Sequence, residues 1–319
     1  MSTAWSVIVA CAVAWLVLVF LLRQRLLPAT HPNHRSLHRS AVARGAGLAI
    51  WAGVAAGTLW SPHTLPWAVP LGIVIAVSFW DDRRGMPILV RLASQIAAAL
   101  AWMALAGAFP ALLPALLTVL AVVWMANLYN FMDGSDGLAA MMTLIGFAAC
   151  AMAAWRAEAM EMQLMVCVVA ATLPFMIVNW PPARAFLGDV GAVPLGFLAG
   201  ALGIEGWRAQ WWPGWFPILV FLPFIADATA TLARRMLSGE RAWEAHCDHY
   251  YQRLVRQGLG HSGTLALYSA LMLGTGGSAL AALMRAPAAG SALLALWVGA
   301  MFLLFAGIDY GWRAQGKAG

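Results

Sequence analysis

Long apolar segments recur along the whole chain and constrain its fold more than any other feature. A hydrocarbon core about 30 Å thick is crossed by roughly 20 residues of α-helix, and eleven segments reach or approach that length. They cover 2–22, 46–60, 66–80, 91–109, 111–128, 137–155, 162–179, 190–204, 212–236, 263–283 and 288–310. Only 10% of the residues are charged, against roughly 25% in soluble domains. The sequence therefore predicts an all-α, polytopic transmembrane helical bundle of eleven helices, with ten as the alternative.

The basic residues predict how these helices are oriented. Arg23 and Arg25 follow the first segment directly and no positive charge precedes it, which argues against a cleaved signal peptide and places the N-terminus outside. Eleven crossings then leave only Arg156, Arg208 and Arg285, of 19 basic residues, in outer connections. This distribution follows the positive-inside rule. The C-terminus is accordingly expected in the cytoplasm.

Residues 1–319 are expected to form a single integral membrane domain, because no stretch is typical of a soluble domain or linker. The net charge of +6 is spread over short loops, so topology and contact with anionic lipid or substrate explain it better than nucleic acid does. The four cysteines indicate neither a disulfide framework nor a metal site. A monomer and a homodimer are both compatible with the sequence.

Carboxylates concentrate at the predicted cytoplasmic ends of the helices. Of 13 acidic residues, only Glu158, Glu161 and Glu205 fall outside in this topology. A carboxylate at membrane depth costs about 2.5–3.5 kcal/mol on insertion scales, so acids beside apolar segments are functional candidates. The candidates chosen on this ground are Asp81, Asp82, Asp133, Asp136 and Asp189.

Structural roles are the alternative for some of these acids. Asp136 and Asp189 could be N-caps of the sixth and eighth helices. Asp81 and Asp82 could simply end the third helix, but two acids at a helix C-terminus oppose its dipole. A bound cation or a proton-transfer role explains that pair better. Asp227, inside the ninth segment, is either a buried structural acid or one that faces a lipid phosphate.

Glycine-containing turns precede two predicted helices on the same face, at 134–137 and 188–191. The exposed N–H groups and positive dipole of a helix N-terminus attract phosphate. Together with nearby carboxylates and arginines they indicate a divalent cation, because Mg²⁺ prefers one or two carboxylates plus substrate phosphate. The chemistry indicated is phosphoryl transfer, in which positioning and charge neutralisation do most of the catalysis.

Five motifs carry a family resemblance. They are PNHRSLH at 32–38 with RGAG at 44–47, the pair Asp81-Asp82, NLYNFMDGSDG at 127–137, FLGDVG at 186–191, and HCDHYYQRL at 246–254. In this order they resemble the polyprenyl-phosphate N-acetylhexosamine-1-phosphate transferase superfamily, glycosyltransferase family 4, and the first is similar to its O-antigen-initiating branch. The chain departs from the usual pattern at His31, Ala43, Ala46 and Ala192, and reads HCDH instead of HIHH.

The resemblance implies a transfer reaction at the bacterial inner membrane, with the active site facing the cytoplasm. Undecaprenyl phosphate would attack the sugar-bearing phosphorus of a UDP-N-acetylhexosamine, giving a lipid-pyrophosphate sugar and UMP. Mg²⁺ is the implied cofactor, with Mn²⁺ as an alternative. The reaction would start a lipid-linked cell-surface glycan, such as the O-antigen of lipopolysaccharide or a cell wall polymer. The expected donor is UDP-GlcNAc or a UDP-N-acetylated 6-deoxyhexose.

Roles for individual residues follow from the same resemblance. Asp189 would ligate the metal with Asn130, Asp82 would support the metal and phosphate site, and Asp81 would take the proton from the lipid phosphate. That phosphate is already mostly ionised at pH 7, so a base is hardly needed. Asp133 and Asp136 would shape the nucleotide side, and His246, His249 and Arg253 would hold the pyrophosphate. The remaining substrate-binding candidates are Asn127, His38 and Arg44.

Two other classes of protein share part of this pattern. A secondary transporter with a carboxylate-lined site also uses intramembrane acids, but such sites lie near the bilayer midplane. A CDP-alcohol phosphotransferase would share the Asp-Gly pairs at 133–134 and 136–137, yet its longer pattern of spaced aspartates is absent after Asp133.

Overall fold

Helices make up most of the chain in the computed structural model, which describes residues 3–30, 42–107, 111–240 and 247–316. They are α1 (Thr3–Arg23), α2 (Gly47–Thr58), α3 (Leu65–Arg84), α4 (Ile88–Leu105), α5 (Leu112–Phe131), α6 (Leu138–Arg156), α7 (Met162–Asn179), α8 (Asp189–Arg208), α9 (Trp215–Val220), α10 (Leu222–Leu237), α11 (Tyr250–Leu254), α12 (Gly260–Arg285) and α13 (Gly290–Ala314). Within the described residues, eight helical stretches are long and apolar enough to cross a membrane. The predicted all-α polytopic fold is confirmed.

Three of the eleven predicted segments form helices that differ from a regular span. Helix α2 has only 12 residues, and α3 has 20 but carries the charged residues 81–84 in its last turn. The ninth segment, predicted as one helix over 212–236, is broken at Phe221 into α9 and α10. Pro223 lies in the first turn of α10, and its missing N–H cannot continue the hydrogen bonding of α9.

Helix α8 lies at the centre of the bundle, and each of its residues from 189 to 203 is buried. Its glycines allow close approach to α5: a Cβ on Gly196 would lie 2.4 Å from the carbonyl oxygen of Met125. Small residues at such contacts are typical of membrane helices, where packing replaces the hydrophobic effect. The N-terminus of α8 is therefore held in a fixed position among its neighbours.

A three-stranded sheet, which the sequence did not predict, lies beside the start of α8. Strand β2 (Val42–Arg44) pairs antiparallel with β1 (Ala29–Thr30) and parallel with β3 (Ala185–Phe186). Each strand has only two or three residues. The sheet brings Arg44 alongside the chain that leads into α8.

Candidate active site

Aspartates from three parts of the chain meet at one end of the bundle. Asp81 and Asp82 come from the last turn of α3, Asp133 from the loop after α5, and Asp189 from the first residue of α8. The carboxyl groups of Asp81 and Asp189 lie close enough to share a proton. Residues more than a hundred positions apart therefore form one cluster, as the sequence predicted.

Asp82 closes the N-terminus of α8. Its Oδ1 accepts a hydrogen bond from the backbone N–H of Asp189 at 3.0 Å, and its Oδ2 accepts one from Val190 at 3.0 Å. A carboxylate at this position satisfies amides that have no partner inside the helix and is favoured by the helix dipole. The N-cap residue of α8 is Gly188 and that of α6 is Gly137. The N-cap alternatives for Asp189 and Asp136 are therefore wrong.

Arg44 bridges two of the aspartates. Its Nε lies 2.8 Å from Oδ1 of Asp82, and its Nη2 lies 2.6 Å from Oδ1 of Asp189. Burial alone would lower the pKa of Arg44, but these carboxylates outweigh it and the pKa lies above its ordinary value. Arginine suits the position because its planar fork holds two oxygen groups at once.

Arg91, in the first turn of α4, is a second cation that the sequence did not mark as functional. Its Nη1 lies 3.3 Å from Oδ2 of Asp81 and 3.8 Å from Oδ2 of Asp189. Oδ1 of Asp81 accepts a hydrogen bond from the backbone N–H of Met86 at 2.5 Å. The position of Arg91, one helical turn into α4 and shortly after the pair Asp81-Asp82, was the sequence signal that could have marked it.

Asp133 joins the cluster through the backbone. Its carboxyl accepts a hydrogen bond from the N–H of Gly188, the residue before Asp189. Burial raises the pKa of Asp133 well above the usual range of a carboxyl, and the negative charges of Asp189 and Asp82 act in the same direction, while Arg44 opposes them. A cation bound nearby would relieve this crowding of negative charge.

Asp136 stabilises the conformation of the loop between α5 and α6. This buried residue accepts a hydrogen bond from the backbone N–H of Ala183 at 3.0 Å. Asn179, which the sequence analysis missed, supports the same contact: its Oδ1 accepts from Gly137 N–H at 2.9 Å, and its Nδ2 donates to the Ala185 carbonyl at 2.8 Å. A buried polar residue at the end of an apolar span was the signal for Asn179. The predicted nucleotide contact of Asp136 stays a prediction.

The two asparagines of the NxxNxxD motif occupy different environments. Asn127 donates from Nδ2 to Oε1 of Gln95 at 2.6 Å and to the carbonyl of Val123 at 2.8 Å. It thus links α5 to α4. Asn130 lies one turn further on, half-buried in the last turn of α5. Of the two asparagines, Asn130 is therefore the one at the end of α5 that leads into the loop with Asp133.

The histidine-rich segment packs next to the same loop. His249 is only 3% exposed, and Tyr251 donates from its hydroxyl to the carbonyl of Phe131 at 2.9 Å. Arg253 pairs with Asp309 of α13 at 2.6 Å, so this arginine already has a carboxylate partner. His38 and His246, both predicted to bind substrate, lie outside the described residues.

The carboxylates fit a hard divalent cation bound together with phosphate. Within the part of the chain that the structure describes, no three or more His, Cys, Asp or Glu side chains form a group that could hold a metal by themselves. Asp81 and Asp189 nevertheless bring oxygen donors together. Mg²⁺ is commonly held by one or two carboxylates, with substrate phosphates and water completing its coordination. Asp189 and Asn130 remain the predicted protein ligands.

Comparison with known proteins agrees with this geometry. Residues 65–206, which span α3 to α8, match the model for glycosyl transferase family 4. A probable undecaprenyl-phosphate N-acetylglucosaminyl 1-phosphate transferase of Bacillus subtilis is 30% identical over 72% of this chain and 70% of its own length. A decaprenyl-phosphate N-acetylglucosaminephosphotransferase of Mycolicibacterium smegmatis is 26% identical over 82% of this chain and 76% of its own.

A third relative, the undecaprenyl-phosphate alpha-N-acetylglucosaminyl 1-phosphate transferase of Yersinia pestis, is 24% identical over 71% of this chain and 69% of its own. The chain belongs to the polyprenyl-phosphate N-acetylhexosamine-1-phosphate transferase superfamily, glycosyl transferase family 4. The resemblance drawn from the five motifs is confirmed.

Proposed function

We propose that the protein transfers an N-acetylhexosamine-1-phosphate from a UDP-sugar to undecaprenyl phosphate and releases UMP. The observation that carries the proposal is the meeting of four aspartates with Arg44 and Arg91 at one end of the bundle. Relatives named for the same transfer to undecaprenyl or decaprenyl phosphate support it. A midplane transport site is not supported, because these carboxylates lie at helix ends.

The reaction exchanges one phosphoanhydride bond for another. An oxygen of the lipid phosphate forms a bond to the sugar-bearing phosphorus of the UDP-sugar. The bond from that phosphorus to the bridging oxygen breaks, and UMP leaves with this oxygen. Since bonds of the same type form and break, catalysis consists mainly of aligning the two anions and offsetting their charge.

Each residue of the site would contribute to the alignment of the two anions or to the neutralisation of their charge. Mg²⁺, when bound, would neutralise the phosphate oxygens that carry the charge. Asp189 and Asn130 would hold it, and Asp81, in contact with Asp189, would orient that ligand and receive any proton from the lipid phosphate. Asp82 keeps Asp189 in place through the α8 amides. Arg44 and Arg91, which lie beside the same carboxylates, would bind phosphate oxygens of the substrates.

An apolar groove is suited to the prenyl chain of the acceptor. It has a volume of about 740 Å³ and lies between α5, α8 and the broken ninth segment, where Leu117, Trp124, Ile204 and Phe221 line it. The groove lies along 113–125 of α5 and 199–207 of α8, whereas Asn130 and Asp189 lie at the other ends of these helices. A prenyl chain with its phosphate at the carboxylates would therefore run along α5 and α8 to reach the groove.

The cellular setting follows from the same proposal. The protein is a multi-pass membrane protein. Its bacterial relatives favour a bacterial inner membrane, and the positive-inside distribution of its arginines favours carboxylates that face the cytoplasm. UDP-sugars would reach the site there. The product, a lipid-pyrophosphate sugar, would be the first intermediate of a cell-surface glycan such as an O-antigen or a cell wall polymer.

A donor panel tests the proposal. Detergent-solubilised protein with undecaprenyl phosphate and Mg²⁺ is expected to release UMP from one of two donors. UDP-GlcNAc is expected because the relatives are named for N-acetylglucosaminyl transfer, and a UDP-N-acetylated 6-deoxyhexose because the stretch at 32–38 is similar to the O-antigen-initiating branch. Omitting the lipid or adding a chelator should abolish release. No release from any UDP-N-acetylhexosamine, release only from UDP-MurNAc-pentapeptide, or release without lipid would contradict the proposal.

A further inference from the structure

Asp227 is a charged residue with no accessible surface, in the middle of the bundle. Its exposed fraction is 0%, and it lies in α10, a helix that carries none of the four aspartates of the proposed active site. A buried carboxylate costs several kcal/mol unless it is paired and hydrogen-bonded. Such a residue is kept for a structural or functional reason, and its contacts show which groups it serves.

The contacts of Asp227 converge from three helices. Its Oδ1 accepts from the backbone N–H of Tyr250 at 2.9 Å and its Oδ2 from that of Tyr251 at 2.9 Å. The hydroxyl of Tyr268, on α12, donates to Oδ2. Thr231, one turn along α10, donates to Oδ1 at 3.2 Å, and Nδ1 of His249 lies 3.3 Å from the same oxygen.

These contacts stabilise the first turn of α11. Its five residues continue into a π-helical turn over 255–259, where the helical backbone is interrupted at Gly258. So short a helical stretch is marginal by itself in water, because nucleation is unfavourable. Asp227 supplies the negative charge and the acceptors that the first amides of a helix need. The charge comes from another helix, so it fixes α11 relative to α10 as well as stabilising it.

Helix α11 in turn fixes two aromatic rings against the loop after α5. The imidazole of His249 stacks on Phe131 with centroids 6.0 Å apart, and on Tyr251 with centroids 5.8 Å apart. A Cβ on Gly134 would lie 2.1 Å from the hydroxyl oxygen of Tyr251, so the loop and α11 are in direct contact. Asp227 is thereby connected to the segment that carries Asp133.

We propose that Asp227 is a positioning residue that sets the orientation of the His249 imidazole and holds α11 against the loop at 132–137. Nδ1 of His249 lies beside Oδ1 of Asp227, so a change at residue 227 would alter the orientation of the ring. The role of His249 toward pyrophosphate rests on the proposed function. The placement of α11 by Asp227 does not, and it can be measured without any substrate.

Alkylation of Cys247 by a maleimide is the direct test. Cys247 is half-buried, two residues before His249, so its thiol reports release of this segment. In Asp227→Asn the side-chain NH2 group would face one of the two backbone N–H donors. We expect the Cys247 peptide to be labelled about tenfold faster, because hydrogen bonds to a charged acceptor are stronger than those to a neutral one. Thr231→Val removes one donor and keeps both backbone bonds, and its labelling should stay within about twofold of wild type.

Two further measurements separate positioning from general destabilisation. Asp227→Asn should elute as a single species in detergent and show a KM for UDP-sugar that rises more than its kcat falls. Wild-type labelling of Cys247 in such a folded variant would overturn the proposal. If Asp227→Asn does not fold, Tyr268→Phe decides: about threefold faster labelling supports the proposal, and unchanged labelling overturns it. Absence of transferase activity in wild type would defeat the proposed function and leave the labelling result intact.

Discussion

Asp189→Asn should give a folded protein whose rate of UMP release is about 10²- to 10³-fold lower, the range seen when one preorganised electrostatic group is removed from an active site. The amide keeps the size of the side chain but removes the charge that would hold the cation. It also removes one of the negative charges that crowd Asp133, and Arg44 keeps Asp82 as a partner. Unfolding should therefore not become easier, and the loss should be confined to activity.

Glu205→Gln is the matched control for this variant. Glu205 lies near the opposite end of the same helix, where it pairs with Arg208 at 2.8 Å. The same chemical change on α8 thus breaks an ion pair away from the carboxylate cluster. Initial rates of UMP release at saturating substrates should match wild type for Glu205→Gln. Near-normal turnover by Asp189→Asn would remove the proposed metal ligand.

Gly188→Ala should reduce activity about 10²-fold, the loss that a misplacement of about 1 Å can cause. Gly188 has φ 74° and ψ 170°, a region that is essentially restricted to glycine and costs other residues about 1–3 kcal/mol. A Cβ there would also lie 2.6 Å from Oδ2 of Asp82 and 2.8 Å from Cα of Gly45. Asp82 would be displaced from the α8 amides, and Asp189 would move with them.

Gly107→Ala is the matched control, because it introduces backbone strain at a positive φ without displacing Asp82. Gly107 also has a positive φ, of 62°, but a Cβ there meets no atom within 4 Å. It follows α4 at the end where Arg208 donates to the carbonyl of Ala106, away from the site. Both variants should melt earlier than wild type, and only Gly188→Ala should lose activity by two orders of magnitude. Equal activities in the two variants would show that displacement of Asp82 by a side chain at position 188 does not lower the activity.

The helices and the carboxylate cluster could be predicted because they depend on local and compositional rules. Apolar segments of membrane-spanning length have few alternatives to a helix, since backbone groups in lipid must be satisfied internally. Asp81, Asp133 and Asp189 were found because acids beside apolar helix ends are rare and costly. Their common position at one face of the membrane was predicted by counting the membrane crossings that separate them along the chain.

The pairings between distant segments could not be predicted in the same way. Arg44 bridges Asp82 and Asp189 only because two- and three-residue strands bring 42–44 beside 185–186. Strands this short carry no periodic pattern that a sequence can reveal. The contacts of Asp227 with the first amides of α11 depend likewise on a five-residue helix whose stability is tertiary.

The measurement closest to the central claim is a double-label transfer with purified protein, undecaprenyl phosphate and Mg²⁺. The UDP-N-acetylhexosamine carries one label on the sugar-bearing phosphate and another on the sugar. The carboxylate cluster, as a site for phosphoryl transfer, predicts that both labels enter the lipid in equal amounts while unlabelled UMP is released. Sugar label alone in the lipid, or neither label with any donor of this class, would contradict it.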